Sequence, residues 1–346
     1  MKTACLILAA GDGKRMHSSL PKVLHPVCDQ PMIAYPVSIA LQRGFSPVVV
    51  VISKQGRLVQ DYLTRRFGDR LRFAVQDPPR GTGHAVMVAK QVLGSLKGKL
   101  AIIYGDVPLL AAKDLSALVR AGRNSTVAFL TCRLDDPSGY GRVVRDDQGR
   151  VAAIIEHRDA SPSQRRIDEI NAGIYLVDSR FVFKALAAVK NTNAQGEYYL
   201  TDLIAEARRL RKSVRAVERK AAQALLGVNT HAQLAAAEKQ MNRRLAGQLM
   251  ARGVSLIDPE HTYLGNDVKV GKDSVIFPGC FFSGRVRIGS ACRIGPGVVI
   301  KDAKIDKAVE IKAYSVLESC QIGPGAIVGP FARLRPGAKL AADARV

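Results

Sequence analysis

The sequence predicts an α/β domain with a mostly parallel sheet, followed by a parallel β-helix of hexapeptide repeats. Three observations predict it. From residue 4 to about 230, short apolar runs alternate with helical patterns. Residues 230–253 hold good helix formers, with no glycine before Gly247. From Leu264 onward, aliphatic or aromatic residues recur every six positions. The expected domains are therefore 1–229, a linker helix at 230–253, and a β-helix at 254–346.

The first element runs from Ala4 to Ala10, strand-length, apolar and closed by Gly11. The basic loop Gly11-Asp12-Gly13-Lys14-Arg15 follows, then Leu20-Pro21-Lys22-Val23-Leu24. Glycines bring bare N–H groups close to a ligand. Arg15 and Lys22 add cationic donors that match phosphate oxygens. A strand feeding such a loop puts a phosphate site at the carboxyl edge of a parallel sheet. No Gly-Lys-Ser/Thr closes the loop, and Met16 stands where a dinucleotide fingerprint needs its third glycine. Taken alone, the Gly-Asp-Gly piece also reads as a basic solvated turn.

Val48 to Ile52 and Leu100 to Tyr104 are continuous apolar runs, as expected of strands covered on both faces. Helical patterns such as Ala85 to Leu93 lie between them. The stretch Gln76-Asp77-Pro78-Pro79-Arg80-Gly81-Thr82-Gly83-His84 suits a rigid loop that lets a flat ring approach, with Gln76 reading a base. The alternative is an ordinary turn capped by Thr82. His84 is expected to be structural. Asp106, just after a buried strand and beside Gly105, is the natural ligand for Mg²⁺, which favours one or two carboxylates plus phosphates and waters. Its alternative role is a helix cap. Gly141 permits close approach of a sugar or ribose. Glu156 can accept hydrogen bonds from hydroxyls, or be a solvated strand-end charge. Asn171 offers a donor and an acceptor to an acetamido or hydroxyl group. Asn229 could complete the metal sphere with a neutral oxygen.

The six-residue series is Leu264, Val270, Ile276, Phe282, Ile288, Ile294 and Ile300. After a step of five it continues with Ile305, Ile311 and Leu317, and after another with Ile322, Val328, Leu334, Leu340 and Val346. Each six residues would make one side of a triangular coil with the apolar residue pointing inward. Val346 falls in mid-register, so the solenoid is expected to continue natively or to be covered by a partner.

Composition limits the function classes. No apolar run approaches the ~20 residues of a membrane span. The six cysteines are scattered without a C-x-x-C pair, which argues against zinc and fits reduced cytoplasmic thiols. The net charge of +22 suits polyanionic ligands. No aromatic residues alternate with the cations, so a nucleic-acid role is not expected. The dense run from Arg208 to Lys220 is read as a solvated face.

The string Leu8-Ala9-Ala10-Gly11-x-Gly13-x-Arg15-Met16, with Leu20-Pro21-Lys22-Val23-Leu24, resembles the signature of sugar-1-phosphate nucleotidyltransferases. With Gly81-Thr82-Gly83-His84-Ala85, Tyr104-Gly105-Asp106-Val107-Pro108-Leu109, Gly139-Tyr140-Gly141-Arg142, Glu156-His157 and Gly227-Val228-Asn229, the chain resembles the bacterial bifunctional N-acetylglucosamine-1-phosphate uridyltransferase/glucosamine-1-phosphate acetyltransferases. That resemblance implies a Rossmann-like pyrophosphorylase domain and a left-handed parallel β-helix that forms homotrimers. It implies that Leu8, Ala9, Ala10, Gly11, Gln76, Gly81 and Thr82 hold the nucleotide, and that Arg15 and Lys22 hold phosphates. Tyr104 and Gly105 would line the site. Gly141, Glu156 and Asn171 would bind the sugar, and Asp106 and Asn229 would hold Mg²⁺. Of the acetyltransferase site, which uses acetyl-CoA, only Arg335 is matched, so acetyl transfer by this chain is not expected.

The implied reaction joins UTP to N-acetylglucosamine 1-phosphate, giving UDP-N-acetylglucosamine and pyrophosphate, with Arg15, Lys22 and Asp106 as the catalytic group. Two other readings stand beside it. One is a nucleotidyltransferase making an ADP- or dTDP-sugar. The other is a non-catalytic regulatory subunit of the same two-domain plan, which would be expected to lose Arg15, Lys22, Asp106 and Asn229.

Overall fold

The computed structural model describes residues 3–11 and 13–346. Asp12, part of the first glycine loop, lies outside the described residues. The chain forms two compact units. One comprises the residues up to His25 together with Pro31–His231, and the other Pro26–Gln30 together with Ala232–Val346.

The first unit is a twisted sheet between two helical layers. Its main path runs Val214–Glu218, Val127–Arg133, Glu169–Asp178, Lys99–Tyr104, Thr3–Leu8, Val48–Ser53 and Leu71–Gln76. All neighbours pair in parallel except Glu169–Asp178, which is antiparallel to both strands beside it. An antiparallel pair, Arg142–Arg145 with Val151–Ile155, attaches to that strand through Ile170 and Arg142.

The apolar runs are continuous because both sheet faces are covered. Successive side chains point to opposite faces. Val48, Val50 and Ile52 therefore enter one core, while Val49 and Val51 enter the other. Cys5 and Ile7 part from Leu6 and Leu8 in the same way. Each strand thus contributes to two cores, at roughly 25 cal/mol per Å² of apolar surface removed from water.

The second unit opens with the helix His231–Met250. Its buried Asn242 donates to Thr262 O at 2.8 Å and accepts from Leu264 N at 2.8 Å, which ties the helix to the first coil. Three five-stranded parallel sheets then wind a left-handed β-helix. From Leu264 to Leu334 every residue of the six-residue series is buried, while Leu340 is half-buried and Val346 is exposed. Both five-residue steps fall at one corner, where the coil repeat drops to 17 residues, as in the pairing of Val299 with Val316. Asp302 (φ 49°) and Ser319 (φ 44°) make that shortened turn in the left-handed region.

A second inward ladder lies two residues before each large apolar one. It runs Ser274, Cys280, Val286, Cys292, Val298, Ala303, Val309, Ser315, Cys320 and Ala326, all buried. Small side chains fit there because the large residue already fills the prism. All six cysteines are free thiols and buried.

Pro26–Gln30 belongs to the second unit through hydrogen bonds. Cys28 N donates to Glu238 Oε2 at 2.7 Å, and Asn266 N donates to Cys28 O at 2.8 Å. Gly284 N donates to Asp29 Oδ2 at 3.0 Å. Among the described residues, no helix is long and apolar enough to cross a membrane.

Candidate active site

The site forms where Thr3–Leu8 and Lys99–Tyr104 end, at the carboxyl edge of the parallel strands, where open α/β sheets bind ligands. Backbone bonds carry the pairing past the strand ends. Ala9 N donates to Val51 O, and Gly105 N donates to Leu8 O, both at 2.8 Å. The two loops therefore lie side by side. A Cβ at Gly105 would sit 3.2 Å from both Ala9 Cβ and Leu8 O, so glycine lets them close.

Gly13 turns the first loop at φ 63° into the short 3₁₀ turn Lys14–Met16. A Cβ there would lie 2.7 Å from Lys22 Cβ. The bare glycine gives Lys22 its place. Lys22 Nζ donates to Asp106 Oδ2 and, at 2.9 Å, to Asn229 Oδ1. Both members of the Lys22–Asp106 pair are largely buried, with side chains 13% and 15% exposed. Asp106 is further fixed by its own carbonyl, which accepts from Val228 N at 2.9 Å. Gly227 packs against its carboxylate. Asp106 caps no helix: the next helix, Ala112–Gly122, takes its cap contact from Asp114, which accepts from Ala111 N.

A cavity of about 530 Å³ opens beside this group. Leu8, Ala9, Ala10, Gly11, Lys22, Gln76, Gly81, Thr82, Tyr104 and Asp106 all line it. Ten residues quoted from four distant motifs thus share one wall. Gln76 is buried, and its side-chain nitrogen donates to Gly81 O at 2.9 Å. Gly81 has φ 97°, and a Cβ there would stand 2.7 Å from Tyr198 O. Thr82 begins the helix Thr82–Val88 but does not cap it, since its hydroxyl accepts from Leu200 N at 3.1 Å.

Gly141, Glu156 and Asn171 form a second group. Asn171 N donates to Gly141 O at 2.9 Å, and a Cβ at Gly141 would lie 3.4 Å from both Glu156 carboxylate oxygens. Glu156 Oε1 accepts from Thr201 Oγ1 at 3.0 Å. Burial raises the Glu156 pKa, and the carboxylates of Asp202, Asp159 and Glu197 add to this. Tyr104 links the two groups, because its ring packs on Gly173. Burial pushes its phenol up, helped by the charges of Glu156 and Asp106.

Two candidates stand outside these groups. Arg15 is exposed on the Lys14–Met16 turn and does not line the cavity, although its charge bears on Tyr140. Arg335 is exposed in the second unit, after the strand Arg333–Leu334. Other residues join unannounced. Lys14, Pro79 and Glu197 line the cavity, His84 pairs with Gln76, and Thr201 supports Glu156. The stretch Glu197-Tyr198-Tyr199-Leu200-Thr201 holds the polar groups that make the last contact, but nothing in the sequence says that it folds over the Gly81 loop.

Asp106 and Asn229 direct a carboxylate and a neutral amide oxygen at one ammonium. Two hard oxygen donors sharing a cation are a donor set that a divalent ion such as Mg²⁺ accepts, with phosphates and waters completing the sphere.

Two family profiles match the chain. Residues 4–230 match the Nucleotidyl transferase profile, and residues 261–302 match Bacterial transferase hexapeptide (six repeats). The class is thus a nucleotidyltransferase joined to a hexapeptide-repeat β-helix. The chain is 43% identical over 344 residues to the Bifunctional protein GlmU of Anaeromyxobacter sp., covering 99% of this chain and 70% of that protein. It is 42% identical over 348 residues to the one from Trichlorobacter lovleyi, covering 99% and 75%, and 40% identical over 348 residues to the one from Geobacillus sp., covering 100% and 75%. The chain belongs to the GlmU family of bifunctional proteins.

Proposed function

We propose that this chain makes UDP-N-acetylglucosamine and pyrophosphate from UTP and N-acetylglucosamine 1-phosphate, with Mg²⁺. The observation that carries this reading is the meeting of Lys22, Asp106 and Asn229 at the edge of the Leu8–Gly11 cavity. Family membership supports it.

In this reading the nucleotide lies along Leu8–Gly11, with its base at Gln76, Gly81 and Thr82. The sugar phosphate lies toward Gly141, Glu156 and Asn171. An oxygen of the sugar phosphate attacks the α-phosphorus of UTP, and the α–β bridging bond breaks to release pyrophosphate. The attacking oxygen is already anionic, so no residue need act as a base. The chain has to hold two anions in line and balance the charge that develops. Lys22 supplies positive charge at the reacting phosphates. Arg15, exposed on the Lys14–Met16 turn, takes the leaving pyrophosphate as it departs. Glu156 and Asn171 hold the sugar hydroxyls and acetamido group. Asp106 and Asn229 would hold Mg²⁺, which supplies charge neutralisation and a shared template for the two phosphates.

The chain is read as cytoplasmic and as a trimer through its β-helix. The exposed aromatic pairs Tyr263–Phe281 and Tyr314–Phe331 support an association surface there. The test is pyrophosphate release with UTP, N-acetylglucosamine 1-phosphate and Mg²⁺, against glucose 1-phosphate and ATP controls. Release confined to the first mixture is expected. Release only with ATP, or none from any pair, overturns the reading.

A further inference from the structure

We propose that His84 is a positioning residue that strengthens the base selectivity of the nucleotide cavity by adding, beside Gly81 O, a second hold on which way round the Gln76 amide lies. The proposal rests on reading the cavity as the UTP site.

Gln76 ends the Leu71–Gln76 strand and is buried, with 4% of its surface exposed. Its terminal nitrogen lies 2.9 Å from Gly81 O and 3.2 Å from His84 Nδ1. A backbone carbonyl only accepts hydrogen bonds, so the amide end facing Gly81 O must be the NH₂ group. The chemistry of the partner thus assigns the amide orientation. That NH₂ has two hydrogens. One goes to Gly81 O, and the other goes to His84 Nδ1 when that nitrogen keeps its lone pair. Burial lowers the His84 pKa, and the Arg80 guanidinium lowers it further, which favours the neutral ring; the NH₂ facing Nδ1 then selects the tautomer whose lone pair is on Nδ1. The Tyr198 ring packs at 6.5 Å between centroids and helps hold the imidazole.

With both donors committed, the one hydrogen-bonding atom this cavity-lining side chain can still offer is Oε1, an acceptor. Uracil presents an N3–H donor between two carbonyls, whereas cytosine presents a bare N3 lone pair beside an exocyclic amine. An acceptor that faces N3 pairs with the first and repels the second. A turned amide would reverse the preference. His84 need not touch the nucleotide to act in this way. Without its acceptor, Gln76 is held by Gly81 alone, its amide turns over more readily, and the discrimination weakens.

The experiment measures kcat/KM for UTP and for CTP, with N-acetylglucosamine 1-phosphate and Mg²⁺, in the full chain and in His84→Leu and His84→Asn. Thermal melts are recorded alongside, and His84→Ala carries the same test if His84→Leu melts early. The parent should prefer UTP strongly. His84→Leu should cut the UTP:CTP ratio by about tenfold, the worth of one hydrogen bond, mainly through KM. His84→Asn places an amide oxygen near the former Nδ1 and should restore the ratio. A folded His84→Leu or His84→Ala with the parent's ratio overturns the proposal while leaving the UTP reading intact. So does a folded His84→Asn that restores nothing. A parent that turns over neither nucleotide overturns the underlying reading, and this proposal with it.

Discussion

Tyr104 and Gly173 are packed so closely that no other residue fits at 173. A Cβ there would fall 1.9 Å from Tyr104 Cε2. Gly173 also has φ 73° and lies where the pairing of Glu169–Asp178 with Val127–Arg133 slips between Asn171 and Tyr175. Gly173→Ala therefore meets two penalties, a left-handed backbone and a displaced ring. We expect a loss of about 2–4 kcal/mol in stability. At a temperature where the variant stays folded, kcat/KM should fall by about tenfold or more, because Tyr104 stands between the two halves of the site. Chemical denaturation and pyrophosphate release measure the two effects separately.

Lys22 and Asp106 should fail in different ways. Lys22→Ala removes the ammonium that Asp106 and Asn229 share, and should lower kcat by about 10² or more. Asp106→Ala should cost at least as much, and should also raise the Mg²⁺ concentration needed for half-maximal rate. Chelation with EDTA should stop turnover in the parent, and added Mg²⁺ should restore it. Near-normal turnover in either variant would remove that residue from the mechanism. Equal Mg²⁺ dependence in parent and Asp106→Ala would remove Asp106 from the metal site.

Glu156 makes the fold sensitive to pH in a defined direction. Burial and the charges of Asp202, Asp159 and Glu197 raise its pKa in the folded chain. Between the unfolded value near ~4.3 and the raised folded value, the folded state binds more protons than the unfolded one. Stability from this group therefore falls as pH rises through that window and is lower above it. Glu156→Gln, neutral at every pH, should be at least as stable as the parent at pH 8 and should lose that advantage at pH 4. Its KM for the sugar phosphate should rise while that for UTP stays nearly unchanged. Melting curves of both proteins across this range, together with the two KM values, check the prediction.

How much of this was legible beforehand differs by element. The strands of the first unit and the β-helix could be read because burial on both faces, or a repeating turn, imposes a pattern on neighbouring residues. The loop residues that line the cavity could be placed through motif strings, since glycines such as Gly13 and Gly81 stand where a side chain cannot. What the sequence hid depends on chain crossings. Nothing local says that Gly83 N will meet Tyr198 O, or that Glu156 will meet Thr201. His84 looked structural because its partner, Gln76, comes from a strand eight residues earlier. The antiparallel strand Glu169–Asp178 is buried along almost its whole length, like its neighbours Lys99–Tyr104 and Val127–Arg133, so its pattern does not reveal its direction. Pro26–Gln30 joins the second unit through backbone groups and short polar side chains, which leave no periodic trace.

The two ladders of the β-helix should respond oppositely to size. Ile294 is fully buried on the large ladder, and Ala303 is 2% exposed on the small one. Ile294→Ala empties a coil between the layers of Ile276 and Ile311, its paired neighbours above and below. It should cost about 2–5 kcal/mol. Ala303→Leu adds volume where the apolar side chains of the coil already meet, and should cost about 1–3 kcal/mol through overpacking. Ile294→Leu, which keeps the volume, should cost less than ~1.5 kcal/mol. Uridylyl transfer per folded molecule should be unchanged in all three, since neither position belongs to the unit that carries the cavity. Denaturant unfolding of the three variants tests this order. An Ala303→Leu variant as stable as the parent would mean that the small ladder leaves room in the prism, and that the small residues there are not required by packing.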